Sequence, residues 1–249
     1  MLERYQRNSI AQKPSMFNLC FERAVTAGAF ALMWWHRFSF PERRTGGWWW
    51  ISRFRFEFLA GWFEQECTIW VRKFVKPGMT VVDIGAHLGF YTRLLSKLVG
   101  PAGKVLAFEA NPENFAVLRR NLRGYKNVEL LNSCVADKDG SFTLYVSPGH
   151  SNHSLMPGYS VAASTLTIPG VALDSFLAGR GIHEVGFIKC DTEGAEPLVL
   201  AGMRQTLSGL RAPVVLIEYN PAAIRCGGVE PERVPEFLAG LDYEVKAIA

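Results

Sequence analysis

The sequence predicts an α/β protein with a mostly parallel sheet, helices on both of its faces, and a helical, aromatic N-terminal extension. From Lys76 onward, short apolar runs alternate with segments of helical spacing, and this alternation requires parallel strands joined by right-handed crossovers. The chain has 249 residues, of which 49% are hydrophobic, so it can bury a full core. We therefore divide it into an extension, residues 1–75, and a catalytic domain, residues 76–249.

The extension differs from the rest of the chain in composition. The first 76 residues hold all seven tryptophans and twelve Lys and Arg against six Glu, whereas the remainder has a net charge of −2. Residues 24–36 are uncharged and largely apolar, but they are too few to span a bilayer, which needs about 20 residues. The arginines around Trp48–Trp50 fit peripheral membrane contact through residues 24–58. We favour the alternative, in which these rings pack on the catalytic domain.

The charge and cysteine patterns exclude several classes of protein. Because the catalytic domain is slightly acidic, nothing in it favours nucleic acid as a partner. The five cysteines are scattered and form no CxxC or Cys/His cluster, so we expect neither structural zinc nor a disulfide framework. We therefore expect the protein in the reducing cytoplasm. Association with a membrane would depend on the extension.

The predicted elements follow from the spacing of apolar residues. We predict strands at 80–84, 104–109, 127–131, 185–190, 213–218 and 242–248, and helices near 89–99, 112–123, 194–207 and 231–239. The turn signal Asp139-Gly140 precedes an alternating run that ends at Val146, which predicts an added antiparallel element. The next segment is rich in Ser, Gly, Asn and His, and it should form a loop over the strand ends.

The most informative stretch is VVDIGAHLGFYT, Val81 to Thr92. It combines a buried strand, a glycine-bearing turn and a helix start, the arrangement with which an α/β sheet binds a nucleotide-like ligand. Gly85 and Gly89 lack a Cβ, so the backbone can approach a ligand closely. Asp83 would repel a pyrophosphate but suits a ligand ammonium, and the glycine spacing is not G-x-G-x-x-G. Together these features favour S-adenosylmethionine over NAD.

A second acid follows at a suitable distance. Val105 to Phe108 form an apolar strand, and Glu109 stands at its end, twenty residues after Gly89. A carboxylate in this place can accept hydrogen bonds from ribose hydroxyls. Alternatively, Glu109 caps the helix that begins near Pro112. Because the VVDIGAHLGFYT motif lies upstream, we favour the interpretation in which Glu109 binds the cofactor.

A further acidic cluster lies in FIKCDTEGAE, residues 187–196. Asp191 falls at the carboxyl end of a buried strand, and two glutamates occupy the following helix start, where acids are common. Glu218 ends the strand VVLIE on the same rim. These carboxylates, with His87 or His153, fit a general base, a metal site or a substrate clamp, and the residues alone leave that choice open.

Five motifs, VKPGMTVVDIGAHLGFYT, FEANPENF, VADKDG, ALDSFL and IKCDTEGAE, occur in the order that resembles the FkbM family of S-adenosylmethionine-dependent methyltransferases. The resemblance covers roughly residues 64–249. It implies a class I methyltransferase (Rossmann-like) sheet, S-adenosyl-L-methionine as cofactor, and methyl transfer mostly to hydroxyl oxygens of sugars, polyketides or related metabolites. Sequence for the usual antiparallel seventh strand is not evident, and the family motifs do not explain the extension.

The resemblance also implies a set of site residues. Asp191 would lie at the edge of the methyl-transfer site, where an acceptor hydroxyl displaces the methyl group directly while a base removes its proton. Asp191 is the first candidate base, His153 the second and Glu218 a third. The residues expected at the cofactor are Asp83, Gly85, His87, Gly89, Glu109, Asn111, Ser133 and Val135. No metal ligand is assigned, and the use of a divalent metal stays open.

Two rival classes of protein stay open as well. The first is a nicotinamide-dependent oxidoreductase, which the G-x-x-x-G spacing disfavours. The second is a non-catalytic or membrane-recruited cofactor-binding protein. The presence of all four acids, Asp83, Glu109, Asp191 and Glu218, disfavours it. The acceptor is expected to be a small molecule or a glycan, and neither its identity nor the oligomeric state follows from the sequence.

Overall fold

The computed structural model describes residues 64–148 and 151–248. The expectations for the extension fall largely outside these residues, so its packing, its membrane contact and the division at residue 75 stay predictions. Among the described residues, no helix combines the length and the apolar content needed to cross a membrane.

Strands and helices occur at all the predicted places up to residue 239, together with further elements that were not predicted. The strands are β1 (Thr80–Ile84), β2 (Lys104–Phe108), β3 (Val128–Leu131), β4 (Cys134–Val135), β5 (Gly140–Val146), β6 (Ser164–Val171), β7 (Phe187–Cys190) and β8 (Val214–Ile217). The helices are α1 (Gln65–Phe74), α2 (Phe90–Val99), α3 (Pro112–Asn121), α4 (Leu173–Ala178), α5 (Glu196–Gly202), α6 (Arg204–Ser208), α7 (Pro221–Cys226) and α8 (Arg233–Ala239).

The larger sheet is wholly parallel, with the strand order β3-β2-β1-β7-β8. The chain runs outward from β1 through β2 to β3 and later returns to the other side of β1 at β7. The strand order therefore reverses at β1, and open α/β sheets bind their ligands outside the carboxyl ends of the strands at such a point. The register of β1 and β7 places Asp83 opposite Lys189. The predicted parallel α/β sheet is confirmed.

Helices cover both faces of this sheet because successive strand residues point to opposite sides. Val82 of β1 packs with Ile188 in one buried cluster, whereas the neighbouring Val81 packs with Phe187 and Leu95 in the other. Burying each such side chain contributes about 1.5–3 kcal/mol. The central strands are thus held from both sides, and their carboxyl ends form a rigid edge.

A second, smaller sheet has the order β4-β6-β5. β5 begins at the predicted Asp139-Gly140 turn and pairs antiparallel with β6, from Gly140 opposite Gly170 to Val146 opposite Ser164. The predicted antiparallel element is therefore confirmed. β6 itself was not predicted, because most of its residues are exposed and it contains a proline.

Two sequence predictions about the C-terminal half are wrong. Residues 242–248 contain no strand among the described residues. Instead, the Tyr243 hydroxyl donates to the Pro213 oxygen at 3.0 Å and the Tyr243 backbone N–H donates to the Leu238 oxygen at 3.1 Å, so the segment is tied down without pairing with β8. The helix expected over 194–207 is divided into α5 and α6, because the backbone leaves helical geometry at Met203.

Candidate functional site

Four acids stand at or near the carboxyl ends of four strands of the larger sheet. Asp83 lies in β1, and Glu109, Asp191 and Glu218 directly follow β2, β7 and β8, respectively. Because these strands are parallel, their carboxyl ends share one edge of the sheet. The structure therefore places all four acids at the edge where the strand order reverses.

The turn between β1 and α2 is packed tightly against protein. Gly85 has φ +77°, and a Cβ built on it would lie 1.8 Å from the backbone oxygen of Asp191. Gly89 has φ +96°, and a Cβ there would lie 2.5 Å from Leu122 Cδ2 and 2.8 Å from Leu118 Cδ1. We expected these glycines to make room for a ligand. The atoms that crowd these two glycines belong to the protein. Positive φ and close packing therefore suffice to explain why glycine occupies both positions.

Asp83 is fully buried and contacts the protein on several sides. Thr92 Oγ1 donates to Asp83 Oδ2 at 2.6 Å, which fastens β1 to the first turn of α2. Burial raises the pKa of Asp83, while Lys189 and the hydrogen bonds from Thr92 act against that rise. Among the described residues, the ammonium group that acts on the pKa of Asp83 is that of Lys189. Asp83 Oδ1 is buried without a hydrogen-bond partner among the described residues, and the predicted contact with a cofactor ammonium stays a prediction.

Glu109 organises the loop after β2. Its Oε2 accepts from the His87 backbone N–H at 2.7 Å, and its Oε1 accepts from the Asn111 backbone N–H at 2.9 Å. Burial raises the pKa of Glu109 to about 7, although these hydrogen bonds and one from Asn114 oppose the rise. The helix cap is Asn111, whose side chain accepts from the backbone N–H groups of Glu113 and Asn114, so the capping alternative for Glu109 is wrong.

Glu109 fits a ligand hydroxyl by the chemistry of its oxygens. A carboxylate offers about four acceptor positions, and three protein hydrogen bonds leave about one for a ligand. Two other residues expected at the cofactor, Ser133 and Val135, have contacts within the protein. The Ser133 hydroxyl donates to the Pro169 oxygen at 3.1 Å, and Val135 is buried in the main core. The contacts of Ser133 and Val135 with the cofactor stay predictions.

Asp191, Glu193 and Glu218 form an acid cluster at the ends of β7 and β8, with carboxylate oxygens within 4.8 Å of one another. Lys189 Nζ lies 2.8 Å from Asp191 Oδ2. Burial alone would raise the pKa of Asp191, but Lys189 and a hydrogen bond from Glu218 hold it below its ordinary value. Burial and the charge of Asp191 raise the pKa of Glu218 to about 10, so Glu218 keeps its proton at neutral pH.

A loop residue, Tyr159, fixes the third member of this acid cluster. Its hydroxyl donates to Glu193 Oε2 at 2.8 Å and accepts from Asn220 Nδ2 at 2.9 Å. Ser154 Oγ donates to the Glu193 backbone oxygen at 2.6 Å. The predicted loop over the strand ends is thus tied to the acids. Burial and the neighbouring acids raise the pKa of Glu193 to about 7, which the hydrogen bond from Tyr159 partly offsets.

The two candidate histidines occupy different places. The backbone of His87 bonds Glu109, and its ring acts electrostatically on Asp191, so His87 connects the β2 end with the acid cluster. His153 Nδ1 accepts from the Ser147 backbone N–H at 3.1 Å. A neutral imidazole that accepts at Nδ1 carries its proton on Nε2, so accepting a further proton would break this loop contact. The role of His153 as base stays a prediction.

Sequence reasoning missed Lys189, which lies at the centre of the site. It is 6% exposed in the middle of β7, and its ammonium lies 4.9 Å from the ring centre of Tyr91, whose hydroxyl donates to Glu64 Oε2 at 2.6 Å. Burial alone would lower the pKa of Lys189, but Asp191 and Asp83 hold it above its ordinary value. The sequence does contain a signal for Lys189, because a lysine inside a buried apolar run requires a buried partner.

Comparisons with known proteins match this chain to methyltransferases. The family model described as methyltransferase FkbM domain matches residues 83–245. The chain is 28% identical over 174 residues to the 31-O-demethyl-FK506 methyltransferase FkbM of Streptomyces tacrolimicus, covering 57% of this chain and 65% of that protein. It is 24% identical over 182 residues to the 2-O-methyltransferase NoeI of Sinorhizobium fredii, covering 67% and 74%.

A different kind of methyltransferase also matches. The chain is 29% identical over 131 residues to the protein-L-isoaspartate O-methyltransferase 1 of Arabidopsis thaliana, covering 51% of this chain and 54% of that protein. The chain therefore spans less than two thirds of the length of this protein and of the Streptomyces protein. The matched region of the family model contains all four strand-end acids and Lys189.

Proposed function

Since the chain belongs to the FkbM methyltransferase family and has the class I methyltransferase sheet, we propose that it methylates a hydroxyl oxygen of a small molecule or glycan with S-adenosyl-L-methionine. The observation that carries this proposal is the acid cluster of Asp191, Glu193 and Glu218, beside the turn that follows β1. The relatives named for methylation at O-31 and at O-2 support a hydroxyl acceptor.

The residues present fit the cofactor at the ends of β1 and β2. Glu109 would hold a ribose hydroxyl, and the turn that contains His87 would lie against the methionine part. When bound, S-adenosyl-L-methionine supplies an electrophilic methyl group on a sulfonium sulfur. The protein then has to orient the acceptor oxygen toward that carbon and to take up a proton, and orientation alone supplies much of the rate.

The charge of the acid cluster favours a neutral hydroxyl over a carboxylate acceptor. Within residues 64–148 and 151–248, the one ion pair at these acids joins Asp191 to Lys189, and that lysine is buried. An acceptor carboxylate would meet a like charge, which costs about 4 kcal/mol at 4 Å in a partly screened site. An uncharged hydroxyl meets no such repulsion and can donate a hydrogen bond to an ionised carboxylate of the acid cluster.

The acceptor class can be tested directly. The full chain, incubated with methyl-tritiated S-adenosyl-L-methionine, should label compounds in a panel of neutral oligosaccharides and hydroxylated macrolides and leave an isoaspartyl peptide unlabelled. The product should keep its label in mild alkali, because ethers resist alkali whereas methyl esters release methanol. Label that is lost in alkali, or that appears in the isoaspartyl peptide alone, would contradict a hydroxyl acceptor.

Cofactor binding gives a second prediction. Glu109→Ala should weaken the binding of S-adenosylhomocysteine by ~1–3 kcal/mol, through loss of a hydrogen bond between the ligand and the Glu109 carboxyl group. Isothermal calorimetry measures this change, and circular dichroism verifies that the variant is folded. Glu113→Ala, the same substitution at an exposed position in the first turn of α3, is the matched control and should bind normally.

Equal affinity in a folded Glu109→Ala variant would remove Glu109 from the cofactor site. NAD in the same calorimeter tests the oxidoreductase alternative. Binding of NAD without binding of S-adenosylhomocysteine would overturn the proposed cofactor.

A further inference from the structure

We infer that Glu193 is the catalytic residue that accepts the proton of the acceptor hydroxyl, in place of Asp191. The inference rests on the proposed function and adds the proton acceptor to it. Three acids compete for this role, and the structure distinguishes them by what already occupies their oxygens.

Asp191 is held as an ion pair. Its Oδ2 lies 2.8 Å from the ammonium of Lys189, and it also accepts a hydrogen bond from Glu218. Protonating Asp191 would leave the buried ammonium of Lys189 with less compensation, and buried uncompensated charge is costly. Asp191 is therefore a poor proton acceptor, although its fixed negative charge can orient a hydroxyl.

Glu218 is unsuited for the opposite reason. Surrounded by Asp191, Glu193 and Glu196, it retains its proton at neutral pH and serves as a hydrogen-bond donor. A carboxylic acid cannot take up a second proton at this pH. Among the three acids of the cluster, Glu193 is the remaining candidate.

Glu193 has both an open oxygen and a fixed position. Tyr159 donates to Oε2, whereas no hydrogen bond from the described residues occupies Oε1. The residue has φ +54°, an uncommon conformation for a non-glycine residue, and Ser154 holds its backbone oxygen at 2.6 Å. Such strain persists only where neighbouring contacts over-determine it, and it is frequent at active sites.

The titratable groups around Glu193 come from every neighbouring element. Asp191 and Lys189 face it from the end of β7, and Glu218 faces it from the end of β8. Glu196 belongs to α5, and Tyr159 belongs to the loop. Burial and the negative neighbours raise the pKa of Glu193, whereas the hydrogen bond from Tyr159 and the charge of Lys189 lower it. The resulting pKa of about 7 suits a general base at neutral pH.

The step balances in atoms and charge. The O–H bond of the acceptor breaks, and its electron pair stays on the oxygen, which bonds to the methyl carbon. The bond from that carbon to sulfur breaks with its electron pair left on sulfur. The proton passes to Glu193 Oε1, so the carboxylate becomes a carboxylic acid and later returns its proton to water.

Turnover as a function of pH tests the inference on whichever acceptor the wild-type chain methylates. The wild-type kcat should rise with pH and level off above about 7, because Glu193 must be ionised. Glu193→Gln should lower kcat roughly 100- to 10,000-fold, remove the inflection and leave binding of S-adenosylhomocysteine unchanged. Tyr159→Phe should keep the inflection and move it to higher pH.

Asp191→Asn is the deciding control. If Glu193 is the base, Asp191→Asn lowers kcat but keeps an inflection, displaced to lower pH because a negative neighbour is lost. If Asp191 is the base, Asp191→Asn abolishes the inflection, and Glu193→Gln retains activity within about twofold. Either of these last two results overturns the inference while the methyltransferase function stands.

A second readout needs no acceptor. In protein labelled with carboxyl-13C glutamate, NMR should show a residue that titrates near pH 7 and is missing from Glu193→Gln. A Glu193 signal already ionised at pH 5 would overturn the inference. A wild-type chain that methylates nothing in the panel would count against the proposed function.

Discussion

Replacing Lys189 with methionine should lower the free energy of unfolding by roughly 3–5 kcal/mol, the usual cost of removing one partner from a buried ion pair. Lys189 faces Asp83 across the β1–β7 register and contacts Asp191 at 2.8 Å, so its loss leaves two acids without their cation. Methionine keeps most of the side-chain volume, and the change therefore isolates the charge. Urea unfolding at several pH values measures the change in the free energy of unfolding.

The pH dependence of this loss identifies its cause. Without Lys189, the pKa values of Asp83 and Asp191 should lie above their ordinary values, so the variant is least impaired at low pH, where both acids are protonated. The difference from wild type should grow as the pH rises from about 4 to 7. Lys104→Met is the matched control, because Lys104 pairs with Glu129 at 2.9 Å on the surface and should cost less than about 1 kcal/mol. Equal losses in the two variants would refute the buried-charge explanation.

Gly85→Ala should destabilise the chain by at least about 3 kcal/mol, since it combines positive-φ strain with overpacking. The added Cβ would lie 1.8 Å from the Asp191 backbone oxygen, and neither backbone segment can move without disturbing β1 or β7. Gly78→Ala separates the two causes, because Gly78 has φ +83° but no atom within 4 Å of a built Cβ. That control should lose about 1–2 kcal/mol. Thermal unfolding of the two variants should differ clearly, and similar losses would show that the close approach relaxes.

The sequence was sufficient for the strands that are buried on both faces. After their first residues, β1 and β2 are apolar except for Asp83, and such runs are typical of parallel strands that are covered on both faces. The end of each run then located Glu109, Asp191 and Glu218, because parallel strands bring their carboxyl ends to one edge. The edge of the acid cluster was thus predictable before any contact was known.

Local patterns were insufficient where tertiary contacts decide. β6 has mostly exposed residues, and its pairing with β5 gives it a structure that its own pattern does not indicate. Residues 242–248 have strand-forming residues but no pairing strand among the described elements. Proton affinities are equally non-local. Glu193 resembled an ordinary acid at a helix start, and its environment is set by Tyr159, thirty-four positions away.

The pairing of Lys189 with acids from two different strands also restricts how this site can evolve. Substituting the lysine alone leaves two buried negative charges uncompensated. Substituting both acids alone leaves a buried positive charge uncompensated. Either order of single substitutions passes through an unstable intermediate, so positions 83, 189 and 191 should drift as a unit. Homologues with an apolar residue at position 189 are expected to carry a neutral residue at 83 or 191, and an alignment deep enough to contain such chains would reveal this covariation.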